Sequence, residues 1–326
     1  MALTTTANIP SAVSEFYNRQ LLERALPELV FDMFGQIRPL PTGNSKISKF
    51  RRYESLSTSI TPLSEGIPPS SMDPTKTDIT ATIKTYGAWL EYTDDLILTQ
   101  PDPEIADLNE ILSEQSAESI DIIRRDTLGA GTAVSYTNGS SRNAVTSTMD
   151  LATLRKVLRT LRNNKAKYIR EIVRAGVKIA TVPIPRSYVC VIHPDVAHDV
   201  KQLTGFKGIE EYGSEQTIHE SEIGAIPSIQ MRFLETTQAK IVSGGGGSSS
   251  SVKNTGGVAD VYISLVFARN AYGIIPLSGN AMKSILKPLG WDDPMEMAGS
   301  IAWKAKTTQV ILNDNFMHRI ESASST

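Results

Sequence analysis

Cys190, His193 and Asp195 lie close together in SYVCVIHPDV and carry the side-chain types of a thiol nucleophile, its base and an orienting carboxylate. Their spacing argues against that chemistry. A catalytic cysteine and histidine ordinarily converge from distant segments, because the base must reach the sulfur from the substrate side. Here Cys190 sits in an apolar run that reads as a buried strand, where residues 190 and 193 point to opposite faces. A structural thiol and a strand-ending His-Pro-Asp turn are expected instead. Gly129-Ala130-Gly131-Thr132 resembles half of a dinucleotide loop, but Val134 takes the third glycine position and the loop follows a helix instead of opening one. His193, His198, His219 and His318 lack metal-ligand spacing, and a lone cysteine offers no pair for zinc. Asp94-Asp95 and Asp292-Asp293 are adjacent carboxylates that diverge on either a helix or a strand, so they read as solvated turns. Residues 155–178 hold nine Lys/Arg and one acid, Glu171. This stretch suits phosphate contact or a solvated helix face equally, with few aromatics for base stacking. No catalytic residue, cofactor or metal ligand is expected.

The elements that carry these residues belong to a chain built for packing. Across 326 residues, 33 basic and 35 acidic side chains give a net charge of −2, with 40% hydrophobic residues and one cysteine. Those values exclude a disordered tail, a disulfide scaffold and a strongly basic nucleic-acid binder, and fit folding in a reducing cytoplasm. No apolar run is long enough to span a membrane. Residues 1–20 read as a polar arm, followed by a short helix between Phe16 and Phe34 that Pro27 interrupts. Two alternating runs, KISKFRRY and DITATIKTYGAWLEYTD, flank a Ser/Thr/Pro-rich segment; such strands have little to bury locally and are expected to project. Asp102 as N-cap, Pro103 at the first helical position and Gly129 as a left-handed C-terminal cap delimit a helix over 102–128. Its apolar stripe is Ile105, Leu108, Leu112, Ile120 and Ile123. A second helix begins at Asp150 and carries Leu151, Leu154, Leu158 and Leu161. SYVCVI is a buried strand and PDVAHDVKQL a short helix. The Gly/Ser segment 243–257 is expected to be flexible and exposed. VYISLVFARNAYGIIPL and IAWKAKTTQVILNDNFMHRIE are strand-rich. Strands and helices without strict alternation give an α+β fold.

A resemblance runs through the same pieces in order. FYNRQLLERALPELVFDMFGQIRPLP, ISKFRRYESL with TPLSEG, ITATIKTYGAWLEYTDDL, the long helix into RRDTLGAGT, TLRKVLRTLRNNKAKYI, SYVCVIHPDVAHDV, GAIPSIQMRFLETTQAKI and the two C-terminal runs are similar to the major capsid proteins of tailed bacteriophages. The resemblance is to the family typified by the coat protein of the podovirus N-four. It implies the capsid fold named after the Hong Kong phage: an N-terminal arm (1–45), an extended two-stranded loop (46–92), a peripheral domain with its spine helix (93–150), an axial domain (151–257) and completing strands (258–326). It implies pentamers and hexamers closing an icosahedral virion shell around double-stranded DNA. A portal, decoration proteins and a separate scaffold are the implied partners, and no membrane is involved. A nanocompartment of the same fold enclosing a cargo enzyme is the alternative. The expected subunit contacts on the loop are Arg51, Arg52, Tyr53, Pro62, Glu65, Lys76 and Lys84. The resemblance also places the spine helix toward the lumen, where Asp102, Glu104, Asp107, Glu110, Glu114, Glu118 and Asp121 would repel DNA phosphate. Arg19 and Arg24 of the arm, or the 155–178 stretch, would supply the few DNA contacts.

Overall fold

The computed structural model of the chain describes residues 30–94 apart from 44, 55, 61, 63, 64, 67 and 68, then 104–171, 183–212, 217–290 apart from 280, and 295–326 apart from 296. The arm, Arg19, Arg24, the Asp102-Pro103 helix start, the Asp292-Asp293 pair and part of the basic stretch lie outside the described residues. In chain order, β1 (Gln36–Ile37), β2 (Ile47–Tyr53), β3 (Lys76–Thr82) and β4 (Lys84–Thr93) precede α1 (Glu104–Leu128) and β5 (Val134–Tyr136). Next come α2 (Leu151–Asn163), β6 (Ile169–Glu171), β7 (Pro183–Ile192), α3 (Pro194–Lys201), β8 (Lys207–Gly208), β9 (Glu222–Ile226) and β10 (Met231–Glu235). Short strands β11 (Ile241–Val242), β12 (Asn254–Thr255) and β13 (Val258–Ala259) lead to β14 (Val261–Phe267), β15 (Tyr272–Pro276), β16 (Met282–Lys287), β17 (Ala298–Ile311) and β18 (Met317–Ser322).

Two sheets dominate. The peripheral sheet has the order β1-β15-β17-β16, with β4 also on β17. The axial sheet has the order β5-β18-β14-β7-β10-β9-β8, with β11 on β14 and β6 on β7. Each of the two strand-rich C-terminal runs divides between them. VYISLVF stays in the axial sheet as β14 and YGIIP crosses to the peripheral sheet as β15; the last run crosses back, as β17 and then β18. The two crossings lie side by side, with the Leu312 and Asn313 N–H groups both donating to the Ala271 carbonyl at 2.9 and 3.0 Å.

The alternation of β17 follows from α1 lying across one of its faces. Ile301, Trp303 and Ala305 are buried against Leu112, Ala117 and Ile120 of the helix. Of the expected stripe, Leu112 and Ile120 are buried, Leu108 and Ile123 are partly buried, and the Ile105 side chain lies outside the described residues. Ser113 and Ser116 are buried on this face as well, the Ser116 hydroxyl donating to the Ser113 carbonyl at 2.7 Å. Twenty-five residues make α1 a rod of about 38 Å. Its end differs from expectation. Gly129 is not among the positive-φ glycines. Its N–H still donates to the Arg125 carbonyl (2.7 Å), and Ala130 and Gly131 reach back only three residues, so the helix tightens out instead of turning left-handed.

The even residues of β7 face α2 and α3. Tyr188, Cys190 and Ile192 pack with Leu154, Val157, Leu158 and Leu161 of α2 and Val196, Ala197 and Val200 of α3. Asp150 caps α2, accepting from the Thr153 N–H at 3.1 Å. The odd residues, Val189 and Val191, face the opposite way, into a core shared with Phe31, Leu128, Leu265, Phe267, Tyr272 and Ile274. That second core joins the axial sheet to the peripheral one.

The Gly/Ser segment corrects the composition-based expectation. It folds back on the axial domain: Gly246 N–H donates to the Ala259 carbonyl and Gly247 N–H to the Val145 carbonyl, both at 2.9 Å, and Val252 is buried. Glycine is needed there because the backbones nearly touch. A Cβ on Gly246 would stand 2.4 Å from the Val145 oxygen. By contrast, Gly256 and Gly257 have nothing within 4 Å of their Cβ positions. Gly246→Val should therefore lower the chemical-unfolding free energy by about 1–3 kcal/mol, the usual range for overpacking. A short peptide inserted between Gly256 and Gly257 should leave it within about 0.5 kcal/mol, as for a surface change. Denaturant midpoints of the two variants check both.

Candidate assembly surfaces

The described side chains do not assemble a reactive centre from the residues considered above. Cys190 is fully buried in the β7 core, and burial alone pushes its thiol up, away from the thiolate. His193 stands outside that core as the cap of α3, its Nδ1 accepting from the Asp195 N–H at 3.2 Å. Asp195 in turn accepts from the Tyr262 hydroxyl at 2.7 Å and from Lys253. Among the described residues no group of three or more His, Cys, Asp or Glu is placed to hold a metal ion, and no helix is long and apolar enough to cross a membrane.

What the chain presents instead is surface. β2 and β3 form a two-stranded ribbon in register from Ile47 opposite Thr82 to Tyr53 opposite Lys76. Only its root is anchored: Phe50 and Ala81 are buried with Ile275 of the peripheral sheet. Beyond the root the ribbon is held mostly by polar contacts between its own side chains. Arg51 makes a two-pronged pair with Asp78 (2.9 and 3.4 Å), which holds that carboxylate below its ordinary range. Arg52 pairs with Glu54 at 2.8 Å and reaches the Leu312 carbonyl. Tyr53, Pro62, Glu65 and Lys76 are exposed. Lys84 is not on the ribbon. The second alternating run breaks at Ile83, and from Lys84 onward the chain is β4, paired with β17 from Thr307 to Ala298. At the break the inward positions shift from odd (Ile79, Ala81, Ile83) to even (Tyr86, Ala88, Leu90, Tyr92), so the projecting ribbon is β2–β3 with its tip, and Lys84 lines a small cavity beside Tyr86, Ile120 and Arg124.

Sequence reasoning missed the apolar side chains that this region leaves in water. Ile60 at the tip is 88% exposed, and Tyr53, Leu56, Ile47 and Met72 are exposed as well. Trp89 of β4 is 63% exposed on the face of the peripheral sheet opposite α1. Scattered apolar residues in a Ser/Pro-rich segment give no periodic signal, so only the absence of a covering element reveals them.

The charge is also divided. Arg155, Lys156 and Arg159 stand exposed on the outer face of α2. Arg162 donates to the Tyr168 hydroxyl (2.8 Å) and to Gln230 (2.7 Å). On α1, Glu110, Glu114 and Glu118 are exposed, whereas Asp121 is buried and leaves the expected acidic face. It accepts from the Phe31 N–H at 3.4 Å, close to the Arg124–Asp32 ion pair of 2.9 Å.

Ribbon, spine helix, two sheets and outward-facing apolar side chains together decide the comparison with known proteins. A family model described as phage capsid protein matches residues 76–272, more than half of the chain. The chain belongs to the phage capsid protein family. Its fold is that of tailed-phage major capsid proteins. The capsid of Ralstonia phage GP4 aligns with a TM-score of 0.67 at 11% identity, over 90% of this chain and 88% of that one. The capsid of cyanophage P-SCSP1u gives 0.61 at 14% identity, covering 91% and 89%. The head of Helicobacter pylori bacteriophage KHP40 gives 0.61 at 12%, covering 89% and 87%. No curated protein matches the chain. As a capsid protein, the chain is a structural subunit of an oligomeric shell.

Burial raises the Asp121 carboxyl from 3.8 to about 6, outweighing the Phe31 N–H and Arg124, which pull it down. The folded subunit thus holds that proton more tightly than the unfolded chain. Its contribution to stability is complete below about pH 4 and is lost as pH rises through 6, by no more than about 3 kcal/mol. In Asp121→Asn this dependence disappears. The unfolding free energy of the wild-type subunit minus that of the variant should fall between pH 4.5 and 7.5 in urea titrations; a constant difference would refute the assignment.

Proposed function

We propose that this chain is the major subunit of an icosahedral virion shell, assembled through pentamers and hexamers around packaged double-stranded DNA, and that the β2–β3 ribbon lies over the adjacent subunit. The observation that carries the reading is the ribbon itself: among the described residues it is buried at Phe50 and Ala81, and its exposed apolar side chains lie toward the tip. An isolated hairpin is marginally stable at best, and a second surface would bury what its own subunit leaves bare. Arg51, Arg52, Tyr53, Pro62, Glu65 and Lys76 are the contacts this reading assigns to it. A portal, a separate scaffold and decoration proteins complete the assembly. The phage capsid family match favours a genome shell over a nanocompartment with enzyme cargo. Glu110 and Glu114 along α1 would face DNA with like charge and let it slide, leaving Arg19 and Arg24 as contact candidates.

Deleting residues 57–74 removes the tip without touching the Phe50–Ala81–Ile275 anchor. The variant should fold as a soluble subunit with unchanged far-ultraviolet circular dichroism and form no closed shells by negative-stain microscopy. Ile60→Asp should weaken assembly in the same direction. Closed shells of normal size from the deletion variant would overturn the placement of the ribbon.

A further inference from the structure

One cleft takes no part in this reading so far. It opens between α1 and the end of the axial sheet, with a volume of about 480 Å³, and Glu118, Asp121, Glu220, Glu222 and Glu235 all line it. Glu222 is spent internally: it accepts from Arg232 (3.0 Å), from the Tyr212 hydroxyl (2.6 Å) and from the Ile218 N–H (2.6 Å). Glu118, Glu220 and Glu235 have no such partner among the described residues. Asp121 is 1% exposed, and its Oδ2 has no hydrogen-bond donor among the described residues. Exposed carboxylates without a partner, gathered around one cleft, make it a patch of concentrated negative charge that an opposite charge would relieve.

The same chain carries a surface of opposite sign. Residues 151–170 contain no acid, and Arg155, Lys156 and Arg159 project from α2 without an ion-pair partner among the described residues. Residues 155 and 159 are one helical turn apart and share a face. The two surfaces cannot satisfy each other within one subunit. α2 packs on the side of the axial sheet that carries Tyr188, Cys190 and Ile192, whereas Val30 and Asp121 at the cleft belong to the side that carries Val189 and Val191.

We propose that Arg155 and Arg159 of one copy seat against the Glu118–Glu220 rim of the next copy, so that the cleft receives guanidinium groups from a second chain. This rests on the shell reading given above. Because donor and acceptor lie on opposite faces of one sheet, the contact is heterologous, the kind that repeats head to tail and closes into rings. Guanidinium suits the rim: its planar donors meet carboxylates in pairs.

The experiment compares assembly of the full-length chain, followed by sedimentation velocity and microscopy, for wild type, Arg155→Glu/Arg159→Glu, Glu118→Lys/Glu220→Lys and the fourfold variant. All four positions are exposed, and circular dichroism checks the fold of each unassembled subunit; neutral pairs, R155Q/R159Q and E118Q/E220Q, are scored the same way should a reversal fail to fold. Each double reversal should reduce the assembled fraction at least tenfold in low salt, and the fourfold variant should return to within threefold of wild type. Normal assembly of either double reversal overturns the proposal, as does a folded fourfold variant that stays unassembled. Normal assembly of R155E/R159E with loss of salt-sensitive DNA retention would also overturn it, by assigning the basic face to nucleic acid. Failure of the wild-type chain to assemble at all, with its scaffold supplied, counts instead against the shell reading.

Discussion

The pairing of two chain segments holds the subunit together. Residues 261–276 and 307–322 run antiparallel through both sheets, from Tyr262 opposite Ser322 to Phe267 opposite Met317, and again from Tyr272 opposite Ile311 to Pro276 opposite Thr307. Between the two registers the chain bends at Asn270, whose φ is +59°, and the Ala271 carbonyl accepts from both Leu312 and Asn313. Each sheet is thereby built on one end of the same ribbon. The axial strands add to β14, the peripheral strands add to β17, and neither sheet can shift its register without moving the other. The core shared by Val191, Leu265, Phe267, Tyr272 and Phe31 fills the bend. The Tyr272 hydroxyl ties it to the segment before β1 by donating to the Phe31 carbonyl at 2.6 Å.

On that frame the axial sheet buries charge in a way that fixes its edges. Glu321 of β18 is inaccessible and accepts from Arg142 through two bonds of 2.7 Å, with the Arg319 Nε 3.0 Å from its Oε1. Glu222 and Arg232 are buried as a pair across β9 and β10, with the guanidinium 5.1 Å from the Tyr212 ring centre. Such pairs contribute little net stability against their desolvation, but removing one partner costs about 3–5 kcal/mol. Their effect here is to pin loops: Arg142 fastens the segment before α2, and Glu222 fastens Tyr212 and Ile218 on either side of residues 213–216.

Much of this was legible wherever a period was long and uninterrupted. α1 follows from its apolar spacing, α2 from its spacing and its Asp150 cap, and β7 from the run SYVCVI, because burial of one face imposes those patterns directly. Three features were hidden for physical reasons. The run from Asp78 to Asp94 alternates on both sides of Ile83 while its phase and its partner change there, since alternation records which face is buried and not which strand lies alongside. Gly246 and Gly247 look like linker composition, yet glycine is also what two backbones need in order to meet at hydrogen-bond distance. Asp121 sits in an acidic series at helical spacing; what buries it is the segment around Phe31, ninety residues away in sequence. The exposed apolar side chains were the least legible, because Ile60 and Trp89 follow no period in the sequence and only the absence of a covering element among the described residues reveals them.

A subunit organised this way links its own completion to its neighbours. Among the described residues the ribbon's buried side chains are Phe50 and Ala81, so beyond Arg52 its ordering draws little on the subunit's own core. Burying Ile60, Leu56 and Met72 on another copy would supply the missing term at about 25 cal/mol per Å² of apolar surface, repeated at each contact around a closed shell. Individually these contributions are small, comparable to the cost of ordering the segment. That balance suits assembly, because a ribbon that bound strongly on first encounter would trap misplaced subunits, whereas one that is marginal alone is retained only where several contacts close together. The rigid double register of the ribbon through both sheets and the weak anchoring of β2–β3 are therefore complementary. One fixes the angle at which surfaces are presented, and the other lets the wrong pairings come apart.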